Sequence, residues 1–120
     1  GKYFSVGGDL PKMQGKIDNP SLFFHGIPNS KYIVQSILDC PKPVVCRLNG
    51  DAVGLGATIA LLCDIVIASE TARLGDPHVK VGLVAGDGGS LIWPQLIGFA
   101  RARRYLLTGD LITGKEAAEI

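Results

Sequence analysis

The fold is constrained most by residues 43–68, "PVVCRLNGDAVGLGATIALLCDIVIA", where a strand, a glycine turn, an apolar helix and a second strand follow one another. Consecutive β-branched residues predict the two strands, and the unbroken apolar run of the second one, "DIVIAS", predicts a strand covered on both faces. The run from about residue 56 to 63 predicts the helix between them. This order is typical of an α/β protein.

The rest of the chain continues the alternation. We expect a strand at "KYFSV" and a short one at "ARLGDP", with a loop or short irregular helix over the polar, proline-containing residues 11–29. Ser30 is the predicted cap of a helix that Pro41 and Pro43 stop, and a later helix, "SLIWPQLIGFARARRYLLTG", needs a kink or a first-turn position at Pro94.

Both ends of the sequence interrupt an element. The chain opens inside the "KYFSV" strand, and it ends at Ile120 in a helix that has just begun after Thr113, the predicted N-cap, with Glu116 completing the capping box. We therefore expect residues 1–120 to be one core domain that is incomplete at both ends.

Charge and composition exclude several classes of protein. Twelve basic and eleven acidic side chains leave a net charge of +1, which is too weak a field to indicate nucleic acid or an anionic membrane as a partner. No run of 18 apolar residues predicts a membrane span, so we expect a soluble protein of the cytoplasm, or of the mitochondrial matrix if the source is eukaryotic. Cys40, Cys46 and Cys63 follow no metal-binding spacing and are predicted to be buried free thiols, so no metal site is expected.

The glycines of "GLG" at 54–56 allow three interpretations. A dinucleotide fingerprint would need a third glycine where Ile59 stands. A serine nucleophile at Ser90 would need glycine where Ile92 stands. The third interpretation is an oxyanion hole that pairs one backbone N–H from "SVGGD" with one from "GLG", because glycine lets the backbone approach a carbonyl oxygen without a Cβ in the way.

Four stretches in this order, "FSVGGDL", "KPVVCRLNGDAVGLGATIALLCDIVIAS", "ARLGDPHVKVGLVAGDGG" and "LLTGDLITGKEA", resemble the enoyl-CoA hydratase/isomerase (crotonase) superfamily over nearly all 120 residues. The resemblance implies a ClpP/crotonase-like spiral of ββα units, assembled as a homotrimer or hexamer. It implies an acyl-CoA thioester as the substrate, with coenzyme A bound as part of that substrate and no separate cofactor.

The resemblance also implies positions for the site. The oxyanion-hole donors carry over to the N–H groups of Gly8 and Leu55. The neighbouring backbone, expected to lie along the substrate and its CoA, comprises Val6, Gly7, Asp9, Leu10 and Gly54.

The acid–base pair departs from the family pattern. Hydratases of the family carry two glutamates that hold the added water, and these positions carry over to Thr58 and His78. Thr58 can orient a water, whereas His78 could act as a base or merely form a hydrogen bond in its loop. Asp87 is a second candidate for proton transfer, with an N-cap role as the alternative.

These observations predict an acyl-CoA-processing enzyme that stabilises a thioester enolate without the usual glutamate pair. On the basis of the resemblance, we expect an enoyl-CoA hydratase-like enzyme, a lyase or isomerase of fatty acid metabolism. An isomerase, decarboxylase or C–C hydrolase of the same superfamily, or a non-catalytic acyl-CoA-binding homologue, are the alternatives.

Overall fold

The computed structural model describes the backbone of residues 1–120 and every side chain except those at positions 10, 17, 23, 26, 27 and 30. The elements in chain order are α1 (Leu10–Asp18), α2 (Ser21–Leu38), β1 (Val45–Leu48), β2 (Ala52–Val53), α3 (Leu55–Leu61), β3 (Ile65–Ala68), β4 (Arg73–Gly75), a 3-10 turn (His78–Val81), α4 (Gly89–Thr108), β5 (Ile112–Thr113) and α5 (Gly114–Glu119).

The strands form two small sheets. In one, β1 and β3 run parallel with Cys46 opposite Val66, and the crossover between them contains β2 and α3. In the other, β4 is central, parallel to β2 and antiparallel to β5. The predicted order of strand, glycine turn, helix and strand is confirmed.

The N-terminal region differs from the expected one. The predicted strand "KYFSV" is wrong, since it is reduced to a single parallel bridge between Ser5 and Ala52. Residues 11–29 lie mostly in the regular helices α1 and α2 instead of a loop or short irregular helix, and α2 begins at Ser21, not behind Ser30.

Both α1 and α2 contain a proline, and the position of Pro11 explains why α1 tolerates it. The side chain of Asp9 caps α1 by accepting the N–H of Lys12 at 3.2 Å, and Pro11 lies in the first turn, where no N–H is required. Pro28 lies inside α2, which continues past it to Leu38. Pro11 and Pro28 therefore end neither helix, whereas α2 ends at Leu38, before Pro41 and Pro43, as predicted.

Helix α4 carries the predicted proline and a separate break. Pro94 lies inside the helix, but the non-helical backbone is at Gly98, with φ 77° and ψ 159°. The kink is therefore four residues beyond the position that the sequence suggested. At the other end of the chain the capping box is confirmed, because the Thr113 side chain accepts the N–H of Glu116 at 3.2 Å while the Glu116 carboxylate accepts the N–H of Thr113 at 2.7 Å.

The core lies among α3, α4 and the two sheets. Its buried hydrophobic residues are Cys46, Leu48, Ala52, Ala57, Ala60, Ala72, Leu74, Trp93, Ala102 and Ile112. The prediction that β3 is covered on both faces is wrong for the described chain, since Ile65 is 53% exposed and Ile67 is 62% exposed.

The cysteines are free, as expected, but only one is buried. Cys46 is buried, Cys63 is half-buried and Cys40 is exposed, which corrects the prediction for Cys40. Burial raises the pKa of the Cys46 thiol to about 11, with the neighbouring Cys63 adding to the effect. Among the described residues, no helix has both the length and the apolar composition that a membrane crossing requires.

Candidate active site

Two glycine turns of the chain lie side by side. Gly7 has a φ of +84°, and a Cβ at this position would lie 2.8 Å from the carbonyl oxygen of Val53 and 3.6 Å from the amide nitrogen of Leu55. The Val53 N–H donates to the carbonyl of Ser5 at 2.9 Å, which ties the two turns together. The backbone of the first turn therefore passes directly beside the amide of Leu55.

The second turn is held by its own contacts. Gly54 adopts a φ of +57° as the residue before α3, and its N–H donates to the carbonyl of Gly75 at 2.9 Å. Leu55 is the first residue of α3, so its N–H has no acceptor within the helix. Gly56 leaves room for Ser5, since a Cβ there would lie 2.7 Å from the Cβ of Ser5.

The structure brings part of the predicted substrate-binding set together. Gly7, Gly54 and Leu55 meet at the paired turns, and Gly8 follows directly, its Cα beside the Met13 sulfur. Val6 is 61% exposed. The carboxylate of Asp9 is engaged in capping α1, and the side chain of Leu10 lies outside the described residues.

His78 lies against the second glycine turn. It begins the 3-10 turn after Pro77, and a Cβ on Gly54 would lie 3.4 Å from the imidazole Cε1 and 3.8 Å from Nε2. The imidazole is therefore a neighbour of the Leu55 amide, although the two residues are far apart in the sequence.

A second carboxylate, which the sequence interpretation missed, lies behind the imidazole. Asp76 is 1% exposed, and its Oδ1 contacts His78 Nδ1 and accepts the backbone N–H of His78 at 3.3 Å. The signal was present in "GDPH", because an aspartate two residues before a histidine can bond to that residue's backbone N–H.

Asp87 faces the other side of the ring. Its Oδ2 lies 3.7 Å from His78 Nε2, while its Oδ1 accepts the hydroxyl of Thr58 at 3.2 Å and the N–H of Gly89 at 3.4 Å. The proton-transfer role is compatible with this position, whereas the predicted N-cap role is wrong, because the N-cap of α4 is Gly88 and Asp87 bonds to the Gly89 N–H from the residue before it.

The environment shifts the pKa of both groups upward. The hydrogen bond to Asp76 is the main reason why the pKa of His78 is raised, and the charges of Asp76 and Asp87 add to it against the effect of burial. Burial is the main cause of the raised pKa of Asp87, and it outweighs the nearby His78, which lowers that pKa. The raised pKa of Asp87 moves that carboxyl towards the neutral range in which general acids and bases work.

The Thr58 side chain is buried and contacts Asp87. It is completely buried in α3, and its methyl group would lie 2.8 Å from a Cβ on Gly88. Its hydroxyl contacts Asp87, so Thr58 supports the carboxylate from behind. Gly89 is equally constrained, because a Cβ there would collide with the carboxylate of Asp76.

The three titratable side chains are close enough to raise the question of a metal. One ligand atom from each of Asp76, His78 and Asp87 lies within 4.8 Å of the others. Nδ1 of His78 is engaged with Asp76, and its Nε2 faces Asp87 Oδ2 at 3.7 Å, so the contacts within the cluster are made between its own side chains.

This fold of strands and crossing helices is shared with solved enoyl-CoA hydratases, which places the chain in the crotonase class. An enoyl-CoA hydratase/isomerase from Mycobacterium paratuberculosis has a TM-score of 0.93 to this chain at 44% identity, covering 99% of this chain and 48% of its own. The enoyl-CoA hydratase from Bacillus anthracis has a TM-score of 0.90 at 34% identity, covering 98% and 45%.

Sequence comparison agrees with the structural one. The 2,3-dehydroadipyl-CoA hydratase of Escherichia coli is 33% identical over 118 residues, which are 98% of this chain and 45% of that protein. The family model described as enoyl-CoA hydratase/isomerase matches residues 1–120. The chain belongs to the enoyl-CoA hydratase/isomerase family, which confirms the resemblance and the predicted fold class. It spans slightly less than half the length of these relatives.

Proposed function

We propose that the complete protein acts on acyl-CoA thioesters and stabilises a thioester enolate with the backbone N–H groups of Gly8 and Leu55. The observation that carries this proposal is the contact between the two glycine turns, where Gly7 adjoins the amide of Leu55. Paired N–H donors at the position of a developing oxyanion are the most effective single device in acyl chemistry. The names of the relatives, which are hydratases and isomerases of enoyl-CoA, support the same substrate class.

His78 and Asp87 carry the protons in this proposal. A base takes a proton from the α-carbon, the electron pair moves through the carbonyl carbon to the thioester oxygen, and the two N–H groups bind that oxygen. Return of the proton to the α-carbon reverses the step. The position of His78 against Gly54 supports its role as the base, because it adjoins the turn that supplies one of the N–H groups.

A more specific proposal is that the reaction is the hydration of an enoyl-CoA. Water then adds at the β-carbon, one group takes a proton from the water, and another delivers a proton to the α-carbon. His78 and Asp87 would divide these tasks, since Nε2 and Oδ2 face each other across 3.7 Å. A homotrimeric or hexameric assembly is part of the same proposal.

A second candidate function rests on the buried threonine at position 58. Thr58 brings no carboxylate where the resemblance implies one, so an isomerase, a decarboxylase or a C–C hydrolase would retain the oxyanion hole with a different base. A non-catalytic acyl-CoA-binding homologue is the remaining alternative.

Two measurements on the complete protein separate these functions. A panel of enoyl-, hydroxyacyl- and dicarboxylic acyl-CoA thioesters is screened for turnover, and saturated acyl-CoA is incubated in deuterated water to measure exchange of the α-proton. Water-dependent turnover of an enoyl-CoA identifies a hydratase, and exchange without hydration identifies another enolate-forming enzyme. Binding of CoA thioesters with neither turnover nor exchange would refute the catalytic proposal.

A further inference from the structure

The buried carboxylate of Asp76 lies outside the set of groups that the proposed chemistry uses. Asp76 is 1% exposed and is separated from the space beside Leu55 by the ring of His78, because its Oδ1 contacts Nδ1 while Nε2 lies near Gly54. It therefore has no direct access to a substrate at the glycine turns.

Several contacts hold this carboxylate in place. Its Oδ1 accepts the backbone N–H of His78, and a Cβ on Gly89 would collide with its carboxylate, so the first turn of the 20-residue helix α4 packs directly on it. The positive end of a helix dipole favours a negative charge at that point. Asp76 Oδ2 is buried and has no hydrogen-bond partner among the described residues.

We propose that Asp76 is a positioning residue, which holds the Nδ1–H of His78 so that Nε2 is the nitrogen that exchanges protons with Asp87 and the substrate. An ionised carboxylate can only accept hydrogen bonds, so the nitrogen that it contacts must carry a proton. In the neutral imidazole the other nitrogen then has a free lone pair. This inference rests on the proposed role of His78 as a base.

The arrangement also fixes the ring. Asp76 bonds to both the backbone N–H and the Nδ1 of His78. These two bonds restrain the start of the 3-10 turn and the orientation of the imidazole. A partner that orients an imidazole in this way is worth about 10- to 100-fold at metal sites, and we expect a loss of kcat of this order for Asp76→Asn in the complete protein.

The pH profile separates positioning from a merely structural role. The hydrogen bond to Asp76 is the main cause of the raised pKa of His78, so its loss lowers that pKa. The low-pH limb of kcat/KM, where the base becomes protonated, then moves to lower pH in Asp76→Asn. A folded variant with an unchanged profile would overturn the proposal.

Double substitution tests whether Asp76 acts through His78. If it does, Asp76→Asn causes little further loss of rate in a His78→Ala background, whereas independent contributions multiply. Losses that multiply in the double variant contradict the inference.

A third measurement needs neither a variant of Asp76 nor activity. ¹⁵N-histidine spectra of the complete wild-type protein, with the His78 signals assigned by their absence from His78→Ala, report which nitrogen carries the proton in the neutral ring. We expect a protonated Nδ1 and an unprotonated Nε2. The opposite tautomer overturns the positioning role even if Asp76→Asn fails to fold. Absence of turnover with the expected tautomer would instead count against the proposed function alone.

Discussion

The hydroxyl of Thr58 donates a hydrogen bond to Oδ1 of Asp87 across 3.2 Å and so connects α3 with the residues that open α4. Asp87 also accepts the N–H of Gly89 with the same oxygen. Its Oδ2 is left to face His78. The threonine thereby helps to determine which oxygen of Asp87 is available for proton transfer.

Replacing Thr58 by valine preserves the shape of the side chain and removes this donor. Because a hydrogen bond to a charged group contributes about 1.5–3 kcal/mol, we expect kcat to fall by roughly tenfold or more. The Thr58 hydroxyl lowers the pKa of Asp87, so the part of the pH–rate profile that Asp87 controls moves to higher pH. The matched control is Thr58→Ser, which retains the hydroxyl. Equal rates and profiles for the valine and serine variants would show that the bond is irrelevant to catalysis.

His78→Ala removes the proposed base. General acid–base catalysis contributes about 10²- to 10⁴-fold, and a loss of turnover in this range is expected in the complete protein. His25 is exposed on α2 and provides the control, since His25→Ala should retain the wild-type rate. A His78→Ala enzyme with the rate of the control would exclude His78 as the base.

Asp87→Asn should lose activity and gain stability. Asp87 has a pKa raised above its ordinary value of 3.8, mainly by burial, so its contribution to folding is fully favourable below that value and declines as the pH rises through the raised pKa. Asparagine does not ionise and still accepts the bonds from Thr58 and Gly89.

We therefore expect the free energy of unfolding of Asp87→Asn to exceed that of the wild type by about 0.5–2 kcal/mol at neutral pH, the usual gain at such sites. Denaturant unfolding of both proteins across the pH range measures the difference, which should shrink as the pH falls towards 4. A difference that is constant with pH would mean that burial does not disfavour the charge.

Gly7→Ala, in the first glycine turn, has a matched control in Gly82→Ala, at the end of the 3-10 turn. Both glycines have positive φ, +84° and +73°, but a Cβ would crowd the carbonyl oxygen of Val53 only at position 7, and at position 82 nothing lies within 4 Å. Both variants lose about 1–2 kcal/mol of stability through backbone strain, whereas only Gly7→Ala should displace the Leu55 amide and lower kcat.

Steady-state turnover and denaturant unfolding are measured for both variants. Removal of one oxyanion-hole donor costs about 10²- to 10³-fold in kcat, and partial displacement should approach this range. If the two variants lose activity equally, the neighbourhood of Gly7 and Leu55 is not the oxyanion hole.

The sequence predicted the central elements because their signals are local. Runs of apolar residues and the glycine turn predict β1, α3 and β3. Thr113 and Glu116 predict the capping box of α5. For residues 10–18 the sequence predicted only a loop or a short irregular helix, because the stretch is polar and contains proline, although a proline in the first turn is compatible with a regular helix.

The candidate site was predicted only in part, because its geometry depends on long-range contacts. His78 and Asp87 were recognised individually, but their separation of 3.7 Å follows from the packing of the 3-10 turn against α4. Asp76 was missed altogether, since nothing in the periodicity of "LGDPH" shows that this carboxylate is buried behind the imidazole. The burial of β3 was overestimated because a run of apolar residues shows that a strand can be buried, but does not show that another element covers it.

Thr58 packs so closely against the loop before α4 that a Cβ on Gly88 would lie 2.8 Å from its methyl group. A longer side chain at position 58, such as glutamate, would need volume that the backbone at position 88 already fills, and its charge would lie beside Asp87. The packing therefore limits position 58 to a side chain of about the size of threonine, and a larger residue there would require a change in the loop before α4.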